Sequence, residues 1–329
     1  MLSIYRLSKY AVTVTALLFL SAAAVPAPAQ DWPGKSVRII VPFGAGSTPD
    51  IVARLVADGL QQKYPTSSFV VENKPGASGN LGTDTVAKAA PDGSTIGVSI
   101  GGPLAINTLL YAKLPYDPHK DIVPITQLVT QPSVLTVNPG LGVNSVTELV
   151  SLLKSNPGKY NFASIGNGSL SHLAMEAIAI KAGTQLVHVP YASSPQAVAA
   201  VIRNDAQMAC LPAIAVTPQA KAGAVKILAV STAQRSPYLA DVPTLKEAGI
   251  DVEADAWNGL IAPGGTPKSV AEKISKDVSE IIRRPAMRDK LAAQLMEPVG
   301  SSPDELRARM DGEIARWAPV IKAANVKIN

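Results

Sequence analysis

A chain in which short apolar runs alternate with amphipathic stretches has few ways to fold, and this one runs through that rhythm twice. Residues 37–41 (VRIIV) form a strand pattern, 51–60 a helix, 69–72 a strand, 84–90 a helix and 95–100 a strand. That βαβαβ order implies a parallel sheet covered by helices. After an irregular stretch at 111–144, the rhythm restarts. A capping box, Ser145 with Glu148, opens a helix with Val146, Leu149, Val150 and Leu153 on one face. Strand at 160–164, helix at 170–182, strand at 186–189, helix at 196–203 and strands at 207–211 and 226–231 follow. Gly183, Gly223 and Gly249 are helix stops. Thr266-Pro267 and Ser302-Pro303 start helices in a C-terminal third that is mostly helical. Two units in series predict two α/β lobes. The strand-like stretches 134–137 and 257–261 are candidates for crossings between them, and ligands of open α/β sheets bind beyond the carboxyl ends of the strands. The expected division is 30–130 plus 258–329 for the first lobe and 131–257 for the second.

Residues 1–29 follow a different rule. Arg6 and Lys9 precede an apolar run at 11–24, and Ala27-Pro28-Ala29 fits a signal-peptidase site before Gln30. The run is too short and too poorly flanked for a membrane span, so it is expected to be a cleaved secretory signal that leaves the mature chain outside the cytoplasm. Without Arg6 and Lys9 the formal charge falls from +5 to +3. The remaining cations are scattered, with no basic run beyond Arg283-Arg284, which excludes the concentrated footprint that nucleic acids require. The single cysteine, Cys210, cannot form an internal disulfide and lies in an apolar run, where core packing is expected.

One local arrangement recurs: a strand, a turn of small residues, a helix start. It is found at 41–50 (VPFGAGSTPD), at 163–172 (ASIGNGSLSH) and, more weakly, at 191–195 (YASSP). Small residues let a ligand approach the main chain closely. The first N–H groups of a helix lack internal partners, and the helix dipole adds about half a positive charge there. Such an end holds a carboxylate without Lys or Arg, and two of them suit the two ends of a dianion. The same residues also serve an ordinary capped connection, since Thr48, Ser169 and Ser194 are natural N-caps. A further turn at 73–80 (NKPGASGN) can reach the same cleft or be a plain loop tip.

Catalytic groupings are scarce. The histidines are His119, His172 and His188. His172 and Glu176 share a helix face, but without a third ligand, packing on the helix surface is the expected role. There is no G-x-S-x-G elbow and no Walker A segment, and Gly166-Asn167-Gly168 lacks the last glycine of a dinucleotide fingerprint, with Ser171 in its place. A secreted enzyme would need an acid/base pair or a nucleophile that these loops do not offer. No catalytic residue, cofactor or metal is expected. Tyr191 and Phe43 are the aromatics best placed to reach a cleft.

The segments in order resemble the solute receptors of tripartite tricarboxylate transporters, the Bug family. The matching stretches are 41–54 (VPFGAGSTPDIVAR), 71–82 (VENKPGASGNLG), 91–93 (PDG), 113–118 (KLPYDP), 160–174 (YNFASIGNGSLSHLA), 188–191 (HVPY), 235–237 (RSP), 242–249 (VPTLKEAG) and 261–267 (IAPGGTP). They cover essentially the whole mature chain. The resemblance implies an α/β, two-lobed periplasmic-binding-protein fold, a type II-like Venus flytrap with two crossing hinge strands. It implies a non-enzymatic periplasmic protein that captures a small carboxylate (a di- or tricarboxylate, or another organic or aromatic acid) through loop amides and hydroxyls. It also implies delivery to a two-component membrane permease of one large and one small subunit, or signalling to a membrane sensor; the chain is expected to be a monomer. Carried over by position, the first-lobe contacts are Phe43, Gly44, Ala45, Gly46, Ser47 and Thr48, with Gly76, Ala77, Ser78 and Gly79 nearby. The second-lobe contacts are Ser164, Gly166, Asn167, Gly168, Ser169 and His172, with Tyr191. Asp50 matches the family aspartate just inside the helix, where a structural role is open to it. Two departures stand out. Gly44-Ala45 replaces the family's Pro-Pro, with Ser47 in place of its second Gly. Cys210-Leu211 replaces a Phe-Asp pair that points at the cleft, so Leu211 is expected to disfavour an amino-bearing ligand and to favour an apolar body.

Overall fold

The computed structural model describes residues 32–328. The expected signal segment at 1–29 lies outside the described residues. The chain begins with β1 (Ser36–Val41), α1 (Thr48–Lys63), β2 (Ser68–Asn73), α2 (Asn80–Ala87) and β3 (Thr95–Ile100). A π turn at Gly102–Ile106 runs into the short α3 (Asn107–Leu110), and β4 (Ile122–Gln131) follows. The second half comprises β5 (Ser133–Val137), α4 (Val146–Ser155), β6 (Asn161–Ser164), α5 (Leu170–Ala182), β7 (Val187–Pro190), α6 (Ser194–Ile202), β8 (Met208–Pro212), α7 (Ala213–Lys221) and β9 (Lys226–Val230). The chain then returns as β10 (Ala256–Pro263), α8 (Lys268–Ile282), α9 (Pro285–Ala292), β11 (Glu297–Pro298) and α10 (Pro303–Ala323).

The strands form two sheets, ordered β11-β4-β10-β3-β1-β2 and β7-β6-β8-β5-β9. In the first, β1 is parallel to β2 and β3, and β10 is antiparallel to both β3 and β4. The carboxyl ends of β1, β3 and β4 therefore share one edge with the amino end of β10. In the second, β6 is parallel to β7 and β8, and β5 is antiparallel to β8 and β9. The amino end of β5 thus lies at the edge formed by the carboxyl ends of β6 and β8. Since β4 passes into β5 through Pro132 alone, the carboxyl edges of the two sheets meet at one crossing. The return passage, residues 231–255, lies beside it: Ser231 donates to Ser133 O from its amide (2.9 Å) and from its hydroxyl (3.1 Å).

β4 falls in the stretch that sequence reading leaves irregular, because Pro124 removes a ladder donor and argues against a central strand. The structure absorbs the loss at a register shift between Leu260 and Ile261, opposite Pro124. On its other side, β4 meets β11 only at Val129 and Thr130, so at Pro124 no ladder bond is needed.

The cores follow the same division for the most part. Val52, Ala53 and Val56 of α1 pack with Ile39, Val98, Leu260 and α8 on one face of the first sheet. Phe162, Leu173 and Met175 anchor the second sheet. α10 belongs to both: Leu306 and Met310 pack with Trp257 and Ile261, whereas Trp317 and Ile321 join the second core, as do Ile106 and Leu110 from before Pro132. Among caps, Ser169 and Ser145 accept the expected amide bonds, from His172 and Glu148. Glu148, however, returns its carboxylate to the amide of Asn144 rather than of Ser145. Two expected N-caps shift by one residue, to Ser47 and Ser193, so that Thr48 and Ser194 begin their helices. Pro267 is itself the N-cap of α8, while Ser302 and Glu305 complete a reciprocal box around Pro303.

Candidate functional site

The loop from β1 to α1 is held from below by one carboxylate. Asp50 is buried and accepts from the Gly46 amide (2.8 Å), Arg54 Nε (3.1 Å) and Asn73 Nδ2 (2.9 Å), and Asn73 Nδ2 also reaches Phe43 O at 2.9 Å. Burial pushes the Asp50 pKa up, but the bonds from Arg54, Gly46 and Asn73 outweigh it and hold the group below the usual carboxylate range. Asp50 thus shapes the loop instead of facing a ligand. Gly44, Ala45 and Gly46 lie exposed above it. Gly46 spends its amide on Asp50 and Ser47 on Gly44 O, whereas the Gly44, Ala45 and Thr48 amides have no acceptor among the described residues. Ser47 Oγ is buried and has no hydrogen-bond partner there either.

The loop after β2 meets this one directly. Gly79 (φ +88°) leaves no room for a side chain, since a Cβ there would lie 2.8 Å from Phe43 Cζ and 2.7 Å from Pro103 Cγ. Gly76, Ala77 and Ser78 are exposed, and all three have positive φ. Beneath them Asn107 Nδ2 donates to Asn80 Oδ1 (2.7 Å), and the buried Tyr116 hydroxyl is shared between Asn80 Oδ1 (3.1 Å) and Pro103 O (2.7 Å). Tyr111 donates its hydroxyl to Ser78 Oγ at 2.9 Å.

The second lobe supplies the loop from β6 to α5. Its interior is a stack of rings: His172 lies on His188 with centroids 3.7 Å apart, and Phe162 flanks both. His172 is buried within the lobe, not on a helix surface, with Nε2 3.5 Å from Glu176 Oε1. Its Nδ1 accepts from the Gly168 amide (3.0 Å), so it holds the loop's main chain from inside. Ser164 Oγ bonds His188 Nε2 at 2.6 Å. Burial, then the neighbouring His172, lowers the His188 pKa to about 4, against a smaller upward effect of Glu176. The ring is therefore neutral at pH 7. Ser171 Oγ accepts from Ile165 N (3.0 Å), and Ser169 Oγ donates to Gly166 O (2.7 Å). With these groups engaged, Ile165 and Asn167 are the exposed residues of the turn, and the Asn167 amide has no acceptor among the described residues. Tyr191 is half-buried and spends its amide on Ser164 O (2.9 Å).

Sequence reading missed what ties the lobes together. A Cβ on Gly168 (φ +72°) would lie 2.7 Å from both Leu110 Cδ1 and Ile328 Cδ1. Asn167 Nδ2 donates to Lys327 O (3.1 Å), and Ile328 N donates to Leu110 O (3.2 Å). Leu110 and Tyr111 thus stand between the loop at Ser78 and the loop at Gly168. Leu211 is fully buried in the cluster of Val134, Ala163 and Ala213, against which Tyr191 packs. Cys210 is also fully buried, and burial pushes its thiol up to about 12. Among the described residues, no group of three His, Cys, Asp or Glu side chains is placed to hold a metal ion, and no helix is long and apolar enough to cross a membrane.

Two helix starts of small residues, one from each sheet, presented across a double crossing, define a two-lobed solute-binding protein of the periplasmic type. The comparisons agree with this class. The model for "Tripartite tricarboxylate transporter family receptor" matches residues 52–326, and the chain belongs to that family. It is 32% identical to the protein BugT of Bordetella pertussis over 94% of this chain and 96% of that one. Among solved structures it is similar to R. palustris Rpa4515 with adipate (34% identity, TM-score 0.79, covering 90% of this chain and 99% of that one). It is also similar to MatC of Rhodopseudomonas palustris with bound malate (30% identity, TM-score 0.74, covering 88% and 100%). The family is a class of periplasmic solute receptors serving a transporter, and its ligands are small carboxylates.

Proposed function

We propose that this protein captures a small carboxylate between its lobes and hands it to the membrane components of a tripartite transporter. The observation that carries this reading is the pair of helix starts at one crossing, with the unshared amides of Gly44, Ala45, Thr48 and Asn167 exposed or half-exposed on them. A carboxylate accepts from several such donors at once, and the dipoles of α1 and α5 add to the attraction. The proposed contacts are Phe43 to Thr48, Gly76 to Gly79, and Ser164 to Ser169. His172 acts behind them as a support, Tyr191 flanks them, and Leu211 is left out. The lobes divide at 131–133 and 231–255, and closure about these passages traps the solute. The solutes in the relatives' structures, adipate and malate, are amine-free diacids, which fits a site without a cleft carboxylate. The protein acts without catalysis, as a monomer, in the periplasm after loss of residues 1–29, and its partner is a large and a small permease subunit.

The test is a thermal-shift screen of residues 30–329, refolded to strip bound solute, against mono-, di- and tricarboxylates, aromatic acids and their amides. An acid at about a hundred times its Kd adds ~2.7 kcal/mol of stability. Stabilisation by acids and not by the matching amides supports the reading. A neutral compound that shifts the melt while no acid does would sink it.

A further inference from the structure

Two buried amides at the crossing are without partners. Gln131, the last residue of β4, and Asn258, near the start of β10, are each 3% exposed. Gln131 Nε2 and Asn258 Oδ1 are buried and make no hydrogen bond among the described residues. Buried polar atoms are nearly always paired, because an unmade bond forfeits the full desolvation cost. On the opposite face of the same strands, Thr130 Oγ1 donates to Asp255 Oδ2 (2.6 Å), and Asp255 is paired with Arg309 (2.6 Å), whose Nε is likewise buried without a partner.

The register places the two amides together. Gln131 lies opposite Ala256, and Asn258 lies opposite Val129, so the two are diagonal neighbours on one face. Side chains so related are roughly 7–8 Å apart at the backbone, and long ones reach a common point. That face is the one covered by α1, because Val129 and Leu260 pack with Val52 and Val56. The edge is the one at which β1 delivers its loop, and Asn258 pairs with Ile100 at the carboxyl end of β3. The unpaired atoms are a donor, Gln131 Nε2, and an acceptor, Asn258 Oδ1. A carboxylate can satisfy only the donor, and an ammonium only the acceptor. A hydroxyl satisfies both, accepting from Gln131 Nε2 and donating to Asn258 Oδ1.

We propose that Gln131 and Asn258 form a hydroxyl-reading subsite at the hinge, so that the solute is a hydroxy acid whose carboxylate is held by the loop amides. This rests on the carboxylate reading above and narrows it. A site built to bond a hydroxyl rejects the analogue that lacks it, since its own polar atoms are then left unpaired.

The experiment is calorimetric titration of the refolded protein with matched pairs: malate and succinate, 2-hydroxyglutarate and glutarate, citrate and propane-1,2,3-tricarboxylate. At least one hydroxy acid binds about tenfold or more tighter than its deoxy partner. In Gln131→Met and Asn258→Leu the preference falls below about threefold, while the deoxy acid binds as before. Both variants keep or raise the melting temperature of the solute-free protein, because each removes an unpaired polar group. If the wild-type protein binds deoxy acids as tightly as hydroxy acids, the subsite is wrong and the carboxylate reading survives. If both variants weaken the two members of a pair alike, the amides serve the fold and not the solute. If no acid of either kind binds, both readings fall together. The wild-type comparison decides the matter alone should a variant not fold.

Discussion

Asp50 sets the shape of the first loop, and removing its carboxylate should show this in both stability and binding. In Asp50→Ala, the Gly46 amide and one N–H of Asn73 lose an ionised acceptor. Hydrogen bonds to a charged group contribute about 1.5–3 kcal/mol each. Asn73 keeps its bond to Phe43 O, and Arg54, half exposed, turns to solvent, so neither adds much. The expected loss is about 3 kcal/mol at pH 7, or roughly 6–12 °C in Tm for a domain of this size. The loss carries a pH signature. The folded pKa of Asp50 lies below its unfolded value, so as pH falls the unfolded chain takes up the proton first. The stabilisation is full above the unfolded value of about 4 and is lost as pH falls through the folded value. Urea melts of wild type and Asp50→Ala at pH 7, 5, 4 and 3 should therefore converge at the acid end. Since the Gly44 to Thr48 main chain is no longer fixed, affinity for the best acid should fall about tenfold or more. A loss under about 0.5 kcal/mol with unchanged affinity would refute the argument, as would a gap independent of pH.

Two further outcomes follow from the geometry. Gly79→Ala, strained at φ +88° and crowding Phe43 and Pro103, should cost about 1–3 kcal/mol in urea melts, whereas Gly44→Ala, with nothing within 4 Å of its Cβ, should stay within about 0.5 kcal/mol. The folded pKa of His188, about 4, is below the unfolded value, so the unfolded chain protonates first and wild type should lose up to about 3 kcal/mol between pH 6.5 and 4; His188→Phe, keeping the stack, should be flat there, and parallel wild-type and variant profiles would refute the role.

Most of the fold was legible because local signals agreed with the tertiary solution. The helix at 170–182 matches α5 residue for residue, since Ser169 caps it and Gly183 stops it in the left-handed region. The strand β4 was hidden by Pro124, whose missing N–H only a register shift and a short neighbouring strand could excuse. The loops Phe43–Thr48 and Ser164–Ser169 were legible as helix starts with small residues. What sequence could not show is how each amide is spent. Gly168 looks like a free donor in the sequence, yet its N–H is turned inward to His172, and the Ile165 N–H is claimed by Ser171. Such pairings depend on which rings stack beneath the turn, and residues 162, 172 and 188 come from three separate elements.

The same limit explains why the connection between lobes went unseen. Leu110, Tyr111, Lys327 and Ile328 carry no motif, and no spacing rule brings residues 78, 110, 167 and 328 together. They meet because α10 is long enough to begin on the first core at Leu306 and end in the second at Trp317 and Ile321. That path sets the last residues beside Asn167 and Gly168, and Tyr111 beside Ser78. A helix that belongs to both cores links the two loops by a route separate from the crossing at Pro132. If the lobes close about Pro132 as proposed, the contacts at Leu110 and Ile328 must bend or slide in response.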